Sequence, residues 1–416
     1  MSQLSDHQRE AFQSVRGRLH QGDRYVGLRG YAGTGKTFLV TRLVETLLAE
    51  GTDVAVCAPT HKAVQVLSEQ LHSAPTRMQT LHSLLGLRLR PGADGRYELV
   101  PEGERDYNEG VVIVDEASMV GRREWEYIDD SPFFLQWLFV GDPAQLPPVN
   151  EPESPALEVP GPVLTEVHRQ ARDNPILDLA TRVRRGTCDR FQSRYANGAG
   201  VAITHNATGF RESILRTFDE DAFDRDAAYA RVLAYRNRTV RRYNREIRSA
   251  RYGEDAPRFE PGEWLVARET WYHDKALVVL NSEEMRVKNV EVELFEADDL
   301  SEWKVWTLTV RAPARDVNAT LHVLHEDERE RYENDLDRLK TAAKEDGKRW
   351  QGYFELRERF ARVDYAYATT VHRAQGSTFH TVFVDHRDLQ ACRGDERDAL
   401  LYVAVTRPAQ RLALLV

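Results

Sequence analysis

The sequence predicts an α/β protein in which helices cover both faces of parallel β-sheets. Short apolar segments, such as residues 54–58 and 111–114, alternate with segments of helical spacing, such as residues 38–49. Strands that alternate with helices form parallel sheets, because each helix is the crossover between two strands. A chain of 416 residues is also too long for one hydrophobic core. We therefore expect two or three domains.

Two stretches interrupt this alternation. Residues 89–99 have a Gly-rich centre between short strands, which predicts a β-hairpin. Residues 257–314 consist of short alternating strands typical of a small β-barrel or sandwich, and a strongly charged helix at 326–345 follows them. Proline-rich residues 143–162 indicate a domain junction. The expected units are a first α/β domain at 1–150 with the hairpin insertion at about 87–110, a second α/β domain at 151–256 and 362–416, and a β insertion with the charged helix at 257–361.

The composition indicates the cellular compartment, but it does not decide whether the protein binds nucleic acid. No run approaches the roughly 20 apolar residues that span a bilayer, and the N-terminus does not read as a signal peptide. The three cysteines lie far apart, which predicts neither a disulfide framework nor a zinc site. We therefore expect a reducing compartment, the cytoplasm. The net charge of −9 argues weakly against nucleic acid, because phosphate binding needs only a local basic track.

A phosphate-binding loop is the clearest motif. Residues 30–37 read GYAGTGKT, which matches GxxxxGK[ST] between a predicted strand and a predicted helix. Glycines let backbone N–H groups converge on an anion, and the helix N-terminus adds positive potential. Lys36 is expected to reach the β and γ phosphates, and the Thr37 hydroxyl to hold Mg²⁺. A chance glycine turn is the alternative, and the strand-to-helix context argues against it.

An acidic pair is the expected second half of this site. Asp115 and Glu116 follow the apolar segment 111–114 directly. Asp115 is expected to hold Mg²⁺ through water, and Glu116 to orient and deprotonate the attacking water. Two adjacent carboxylates could also begin a solvated helix. Their pairing with the loop at 30–37 favours the nucleotide site.

A phosphate loop alone fits kinases, GTPases, transporters and motors, but further segments follow it in a fixed order. They are APTHKA at 58–63, TLH at 80–82, DEASM at 115–119, GDPAQLPP at 141–148, TVHRAQGS at 370–377 and VAVTR at 403–407. Together they resemble the superfamily 1B DNA helicases of the RecD-like and Dda-like type, over nearly the whole chain. The resemblance implies two RecA-like domains with ATP in the cleft between them and single-stranded DNA across their tops.

The resemblance also implies roles for individual residues in the nucleotide cleft. Gln8 is similar to the glutamine that reads adenine, and Gln145 to the sensor of the γ-phosphate. Arg169 and Arg407 are similar to the arginines that reach the phosphates from the second domain, where a surface salt bridge is the alternative for each. The expected catalytic residues are thus Lys36, Glu116, Gln145, Arg169 and Arg407. The expected nucleotide-binding residues are Gln8, Gly30, Gly33, Thr34, Gly35, Lys36, Thr37, Asp115 and Gly376, with Thr37 and Asp115 on the metal.

A DNA path is implied in the same way. Hydroxyls, amides and a few cations suit a sugar-phosphate track that must be released and gripped again in each cycle. Helix capping is the alternative for each small polar residue. Metal binding by the scattered histidines is disfavoured, because their spacing matches no compact ligand set. The residues expected to line the path are Thr60, His61, Lys62, Thr80, His82, Thr370 and His372.

The two insertions also match family features. The hairpin tip at 91–95 lies where the family keeps a pin that separates strands, although an inert loop is the alternative. The β insertion resembles the SH3-like barrel of Dda-type enzymes, and the charged helix resembles the element that braces it. Five aromatic residues there are candidates for base stacking, but core packing is favoured for most of them. They are Trp264, Trp271, Tyr272, Trp303 and Trp306.

The sequence therefore predicts an ATP- and Mg²⁺-dependent helicase that moves 5′ to 3′ on single-stranded DNA and unwinds DNA at single-strand/duplex junctions, in repair or replication. We expect a monomer with no membrane partner, and a single-stranded-DNA-binding protein is the candidate protein partner. Two alternatives stay open: an RNA helicase of the same superfamily, and a non-processive ATP-gated module that binds nucleic acid.

Overall fold

The structure is a computed structural model that describes residues 4–71, 76–92, 94–102, 107, 109–132, 134–167, 173–188, 190–296, 301–394 and 396–416. Among these residues, no helix is long and apolar enough to cross a membrane.

The first part of the chain folds around a parallel sheet. Its described strands run in the order β3-β2-β6-β7-β1-β8, and every neighbouring pair is parallel. Two apolar cores cover the two faces of this sheet, as expected for a parallel sheet. The elements are α1 (Asp6–His20), β1 (Tyr25–Gly30), α2 (Lys36–Ala49), β2 (Val54–Ala58), α3 (His61–Leu71), β3 (Arg77–Thr80), α4 (Leu81–Leu84), β4 (Leu87–Pro91), β5 (Tyr97–Pro101), β6 (Gly110–Val114), α5 (Arg122–Asp129), β7 (Leu135–Gly141), α6 (Pro155–Glu158) and β8 (Val163–Leu164).

The strand β8 corrects one detail of the predicted organisation. The sequence predicts that the second α/β domain begins at residue 151, but Val163 and Leu164 pair with Arg29 and Gly30 of β1. The proline-rich stretch therefore returns along the first sheet before the chain leaves it. A two-residue strand carries no periodic pattern, so only its pairing with β1 reveals where it belongs.

The next segment begins the second α/β region. Asn174 caps α7, its side chain accepting from the backbone N–H groups of Ile176 and Leu177. In the last helix of this segment, Asn237–Tyr252, the side chains of Tyr243 and Arg248 are buried. The elements are α7 (Pro175–Arg184), β9 (Arg194–Ala196), β10 (Ala199–Thr204), α8 (Ala207–Phe218), α9 (Asp221–Arg225), β11 (Ala230–Ala234) and α10 (Asn237–Tyr252).

An antiparallel β unit follows, where the alternating pattern predicted short strands. Five described strands form a sheet in the order β17-β16-β15-β12-β18, and β13 and β14 form a separate hairpin. The indole groups of Trp264, Trp271, Trp303 and Trp306 are buried, so they pack in cores as expected, whereas Tyr272 is 52% exposed. The likeness to an SH3-like barrel stays a prediction. The elements are β12 (Trp264–Ala267), β13 (Trp271–His273), β14 (Ala276–Val279), β15 (Glu284–Glu296), β16 (Glu302–Ala312), β17 (Val317–Leu324), α11 (Arg329–Glu345), α12 (Trp350–Glu358) and β18 (Val363–Tyr365).

The charged helix α11 starts three residues later than the predicted segment, after a 3₁₀ turn at Glu326–Glu328. Its narrow apolar stripe packs on the insertion: Tyr332, Leu336 and Leu339 lie against the cluster around Trp303 and Phe360. Other 3₁₀ turns in the described chain are Ala117–Met119, Ala227–Tyr229, Pro313–Arg315 and Gly347–Arg349.

The chain then returns to complete the second sheet. Its described strands run in the order β19-β11-β20-β21-β10-β9, and all neighbouring pairs are parallel except β10 with β9. Both sheets thus have the parallel α/β architecture of RecA-like domains. Leu146 of the first region belongs to the core of the second, and Ala32 and Ala144 pack against that core. The two sheets therefore meet at the loops that follow β1 and β7. The remaining elements are β19 (Ala368–Thr370), α13 (Val371–Ala374), β20 (Phe379–Asp385), α14 (His386–Leu389), α15 (Glu396–Thr406) and β21 (Pro408–Leu415).

Candidate nucleotide and nucleic-acid site

The loop at residues 30–37 lies between β1 and α2 and has the backbone of an anion cradle. Gly33 and Gly35 adopt φ angles of 76° and 82°, a left-handed conformation that favours glycine. A Cβ added to Gly30 would lie 2.9 Å from both Lys36 Cγ and Thr34 Oγ1. The glycines are therefore required by the shape of the loop, and α2 begins where the loop ends.

Lys36 folds back into this loop. Its Nζ donates to the carbonyl oxygen of Gly30 at 2.7 Å and to that of Tyr31 at 3.3 Å. The same nitrogen lies 3.8 Å from Asp142 Oδ2, at the end of β7. The ammonium group is thus held over the cradle, where the phosphates of a nucleotide would lie.

The acidic pair, Asp115 and Glu116, directly follows β6, and the pKa values of both carboxyls are raised. Burial raises the pKa of the Asp115 carboxyl. Burial and the charge of Asp115 raise the pKa of Glu116 to about 7, while the charges of Arg407 and Lys36 act in the opposite direction. Glu116 also has a φ of 51°, a strained conformation for a residue with a side chain. Strain and a pKa near neutrality are both common at catalytic carboxylates.

Arg407 of the second domain is a buried cation whose pKa is affected by the charge of Glu116. It is 7% exposed, and its guanidinium donates to the carbonyl oxygens of Val403 and Ser377, each at 3.1 Å. Burial lowers the pKa of Arg407, and the charges of Glu116 and Asp142 raise it. The charges of Lys36 and Arg407 both oppose the rise in the pKa of Glu116. Lys36 also lies 3.8 Å from Asp142, whose charge acts on Arg407.

Three side chains that the sequence predicts to bind the nucleotide lie at or beside the phosphate loop. Gln8 completes a capping box with Ser5, and its Nε2 donates to Thr34 O at 3.0 Å. Thr34 is buried and donates from Oγ1 to Tyr31 O. Thr37 lies in the first turn of α2. Gln8 is therefore joined to the phosphate loop by its own side chain.

Gln145 and Gly376 lie where the two domains touch. Gln375 Nε2 donates to Gln145 Oε1 at 3.1 Å and to Ser118 Oγ at 3.3 Å. Gly376 has a φ of 74°, and an added Cβ would lie 3.3 Å from Ala63 Cβ. The segment at 370–377 thus contacts the first domain directly. Gln375 and Ser118 were not singled out in the sequence, although both belong to its motif segments.

Arg169, the other predicted arginine, lies outside the described residues. Tyr402 and Asp142, for which the sequence predicts no role, lie in the cleft. Tyr402 Oη donates to Asp142 Oδ2 at 2.7 Å and accepts from Ala32 N at 2.9 Å. Tyr402 directly precedes the VAVTR segment, which was the one signal available in the sequence.

The threonines predicted to line a DNA path are all helix caps. Thr60 Oγ1 accepts from Ala63 N at 3.2 Å. Thr80 and Thr370 cap α4 and α13 in the same way, and both are less than 10% exposed. The capping alternative therefore describes the present geometry of each hydroxyl, and a role in DNA binding stays a prediction.

Lys62 and two histidines of the predicted path are paired with glutamates. Lys62 Nζ lies 3.0 Å from Glu284 Oε2 of the β insertion. His82 Nε2 lies 3.0 Å from Glu124, and His372 Nε2 lies 2.8 Å from Glu396. Burial lowers the pKa of His61. These candidates therefore do not form one exposed basic strip.

Lys62 and Thr370 nevertheless share an open cavity. It lies at the junction of the first domain, the second domain and the insertion. Further cations line it, together with the carboxylates of Glu284 and Asp364. Those cations are Arg231, Arg268 and Arg373. Within the described ranges, no group of three or more His, Cys, Asp or Glu side chains could by itself hold a metal ion.

Two family models match the chain. One, described as an AAA domain, matches residues 3–205. The other, described as a UvrD-like helicase C-terminal domain, matches residues 365–415. The first contains the phosphate loop and the acidic pair, and the second contains the segment with Arg407.

Two helicases of known activity are similar in sequence. The chain is 28% identical to the ATP-dependent DNA helicase dda of Enterobacteria phage T4 over an alignment of 437 positions, gaps included, which covers 97% of each chain. It is 35% identical to the ATP-dependent RecD2 DNA helicase of Deinococcus radiodurans over 164 residues, which cover 38% of this chain and 21% of the relative.

Solved structures with a similar fold include two Pif1 helicases. Bacteroides Pif1 bound to single-stranded DNA has a TM-score of 0.51 and 16% identity, covering 100% of this chain and 93% of that one. The Pif1 helicase of Candida albicans has a TM-score of 0.50 and 17% identity, covering 100% and 95%. This chain therefore shares its overall fold with these Pif1 helicases.

Proposed function

Because the chain belongs to the superfamily 1B helicases of the Dda-like and RecD-like type, we propose that it is an ATP-dependent DNA helicase. It moves 5′ to 3′ on single-stranded DNA and unwinds duplex DNA. The observation that carries the proposal is one buried cleft between the domains: Lys36 of the phosphate loop lies 3.8 Å from Asp142, and Tyr402 of the second domain, five residues before Arg407, donates to the same carboxylate at 2.7 Å.

This cleft suits hydrolysis of a nucleoside triphosphate. Backbone amides of residues 30–37 hold the phosphates, and Lys36 lies beside them. Glu116 accepts a proton from the attacking water, since its raised pKa makes it a better base than an ordinary carboxylate. Arg407 balances the charge that develops on the transferred phosphoryl group. Hydrolysis therefore needs both domains, and the reaction is coupled to their relative position.

Mg²⁺ is expected with the nucleotide. Its preferred ligands are oxygens, usually one or two from the protein and the rest from water and phosphate. The Thr37 hydroxyl at the start of α2 and the buried Asp115 carboxyl are donors of that kind. The ion would neutralise phosphate charge during transfer.

The proposed DNA path crosses both domains at the cavity that Lys62 and Thr370 line. Single-stranded DNA is held there through its phosphates, and Gly376 places this part of the second domain against Thr60 of the first. Closure of the cleft would change the distance between the two halves of the path. Each round of hydrolysis would then advance the motor along the strand.

The hairpin of β4 and β5 is the proposed strand-separating pin. Its tip packs on α12: the Gly95 backbone lies against the Trp350 ring, and Tyr97 Oη donates to Glu358 Oε1. Tyr97 also contacts the Phe354 ring edge-on at 5.0 Å between centroids. A hairpin held at its tip resists bending, which is what a wedge at a duplex junction requires.

The monomeric state, the single-stranded-DNA-binding protein as partner and the cytoplasmic location belong to the same proposal and stay predictions.

Strand displacement on tailed duplexes tests the proposed function. We expect ATP-dependent unwinding of a DNA duplex with a 5′ single-stranded tail and none with a 3′ tail. Lys36→Ala removes the phosphate-bound ammonium and is expected to abolish ATP hydrolysis and unwinding together. Matched RNA tails serve as the second substrate set.

Each other outcome has a defined meaning. Unwinding confined to 3′ tails would overturn the polarity, and faster unwinding on RNA tails would favour the RNA helicase. ATP-dependent binding without strand displacement would favour a non-processive module. Normal ATP turnover by Lys36→Ala would show that the loop at residues 30–37 is not the nucleotide site.

A further inference from the structure

The phenol of Tyr402 connects the second domain to the phosphate loop of the first. From this contact we propose that Tyr402 is a positioning residue for ATP hydrolysis, which holds the helix α15 against the loop and thereby places Arg407. The inference rests on the proposed function and adds a residue to its machinery.

The contact is made by one hydroxyl group on an otherwise apolar anchor. Tyr402 is 2% exposed, and its ring belongs to the core of the second domain. Only Oη leaves that core, donating to Asp142 Oδ2 at 2.7 Å and accepting from Ala32 N at 2.9 Å. A phenol has one donor and an acceptor oxygen, so both capacities are used on the first domain. The ring therefore fixes where the hydroxyl lies.

Asp142, the carboxylate that accepts from Tyr402, also lies close to Lys36. Asp142 is 1% exposed, accepts from Ala144 N at 3.0 Å, and lies 3.8 Å from Lys36 Nζ. Burial and Asp142 raise the pKa of the Tyr402 phenol, so the phenol keeps its proton and stays a donor. A hydrogen bond to a buried carboxylate is among the stronger kinds. Tyr402 thus holds two parts of the phosphate site, the Ala32 amide and Asp142.

The same helix carries the arginine. Arg407 directly follows the end of α15, and its guanidinium is bound to Val403 O, one residue after Tyr402. A shift of α15 away from the loop would move Arg407 away from Glu116. Because the Tyr402 contacts form only when the domains are together, they favour the arrangement in which Arg407 faces the reacting phosphate.

The expected signature is a loss in turnover rather than in nucleotide binding. Tyr402→Phe keeps the buried ring and deletes only the hydroxyl. Among the loop amides, this hydroxyl binds that of Ala32 and leaves the others untouched, so we expect the KM for ATP to change less than about twofold. We expect DNA-stimulated kcat to fall about tenfold, the size of effect that follows from losing one hydrogen bond to a charged group.

Tyr243→Phe is the matched control. Tyr243 is a buried phenol of the second domain that donates to the buried carboxylate of Asp385 at 2.9 Å, away from the cleft. It should lose a comparable amount of thermal stability and keep wild-type kcat. If both variants lower kcat equally, the role of Tyr402 is only structural and the inference is wrong.

A double variant tests whether Tyr402 acts through Arg407. In an Arg407→Ala background, measured in single turnover with excess protein, Tyr402→Phe is expected to slow hydrolysis less than twofold further. Fully additive losses, or a single Tyr402→Phe variant with wild-type kcat, would overturn the inference. Loss of hydrolysis in Lys36→Ala, measured alongside, would show that the proposed function survives that failure.

Discussion

At the scale of single residues, Glu263 is the clearest pH-sensitive group away from the cleft. It is 1% exposed, accepts from Arg248 Nε and Tyr367 Oη, each at 3.0 Å, and joins the insertion to the second domain. Burial raises the pKa of Glu263 to about 7, and the charge of Arg248 only partly opposes this. The folded protein therefore keeps a proton that the unfolded chain releases above about pH 4.3.

The sign of the effect follows from that proton. Stability from Glu263 is fully present below about pH 4.3 and is lost as pH rises to about 7, because the folded state binds more protons in that window. We expect wild-type protein to lose about 2 kcal/mol more unfolding free energy than Glu263→Gln between pH 5 and pH 8. Urea unfolding of both proteins at each pH measures this difference.

The comparison is between pH dependences, since Glu263→Gln also deprives Arg248 of an ionised partner above about pH 7, where the folded wild-type protein has one. Equal pH dependence in the two proteins would show that Glu263 is ionised in the folded state at pH 5.

The cleft residues that could be predicted from the sequence are those recognised from their neighbours in the chain. The loop at 30–37 needs only a strand before it and a helix after it, and the acidic pair needs only the end of a buried strand. Tyr402 could not be predicted in this way, since its partners Ala32 and Asp142 belong to the other domain. Helix capping is the alternative that the sequence offers for Thr60, Thr80 and Thr370, and the structure shows that all three hydroxyls make capping bonds.

At the scale of elements, an element is predictable when neighbouring residues determine it and is missed when distant residues do. The hairpin predicted at 89–99 has strands at Leu87–Pro91 and Tyr97–Pro101, because its turn residues dictate the reversal. The sequence did not indicate that the tip would pack on Trp350, more than 250 positions later. The strand β8 was missed for the same reason, since its pairing with β1 is long-range.

At the scale of the whole molecule, the Lys62–Glu284 ion pair joins three units. Glu284 of the insertion lies 3.0 Å from Lys62 of the first domain and also binds Arg231 of the second. Burial opposes ionisation of Glu284, but Lys62 and Arg231 outweigh it and lower the pKa of this carboxyl, so Glu284 is charged. A DNA phosphate that binds Lys62 must compete with this carboxylate.

Glu284→Gln is therefore expected to tighten binding of single-stranded DNA by up to about fivefold at low salt, the scale of a partly exposed ion pair. The gain should shrink as salt rises. Glu50→Gln is the control, because Glu50 pairs with Arg16 and His20 of α1, outside the proposed path. Fluorescence anisotropy of a labelled oligonucleotide measures both. Equal affinity in the two variants would mean that Glu284 does not compete with DNA.

The central claim is that a guanidinium of one domain completes a phosphate site of the other, and Arg407→Ala tests it most directly. Steady-state ATP turnover with saturating single-stranded DNA is measured beside the affinity for a non-hydrolysable ATP analogue. Arg251→Ala, which removes a partly buried arginine bound to Asp224, is the control. The account predicts that Arg407→Ala lowers kcat on the order of 10³-fold while the analogue still binds. Wild-type turnover by Arg407→Ala would contradict it.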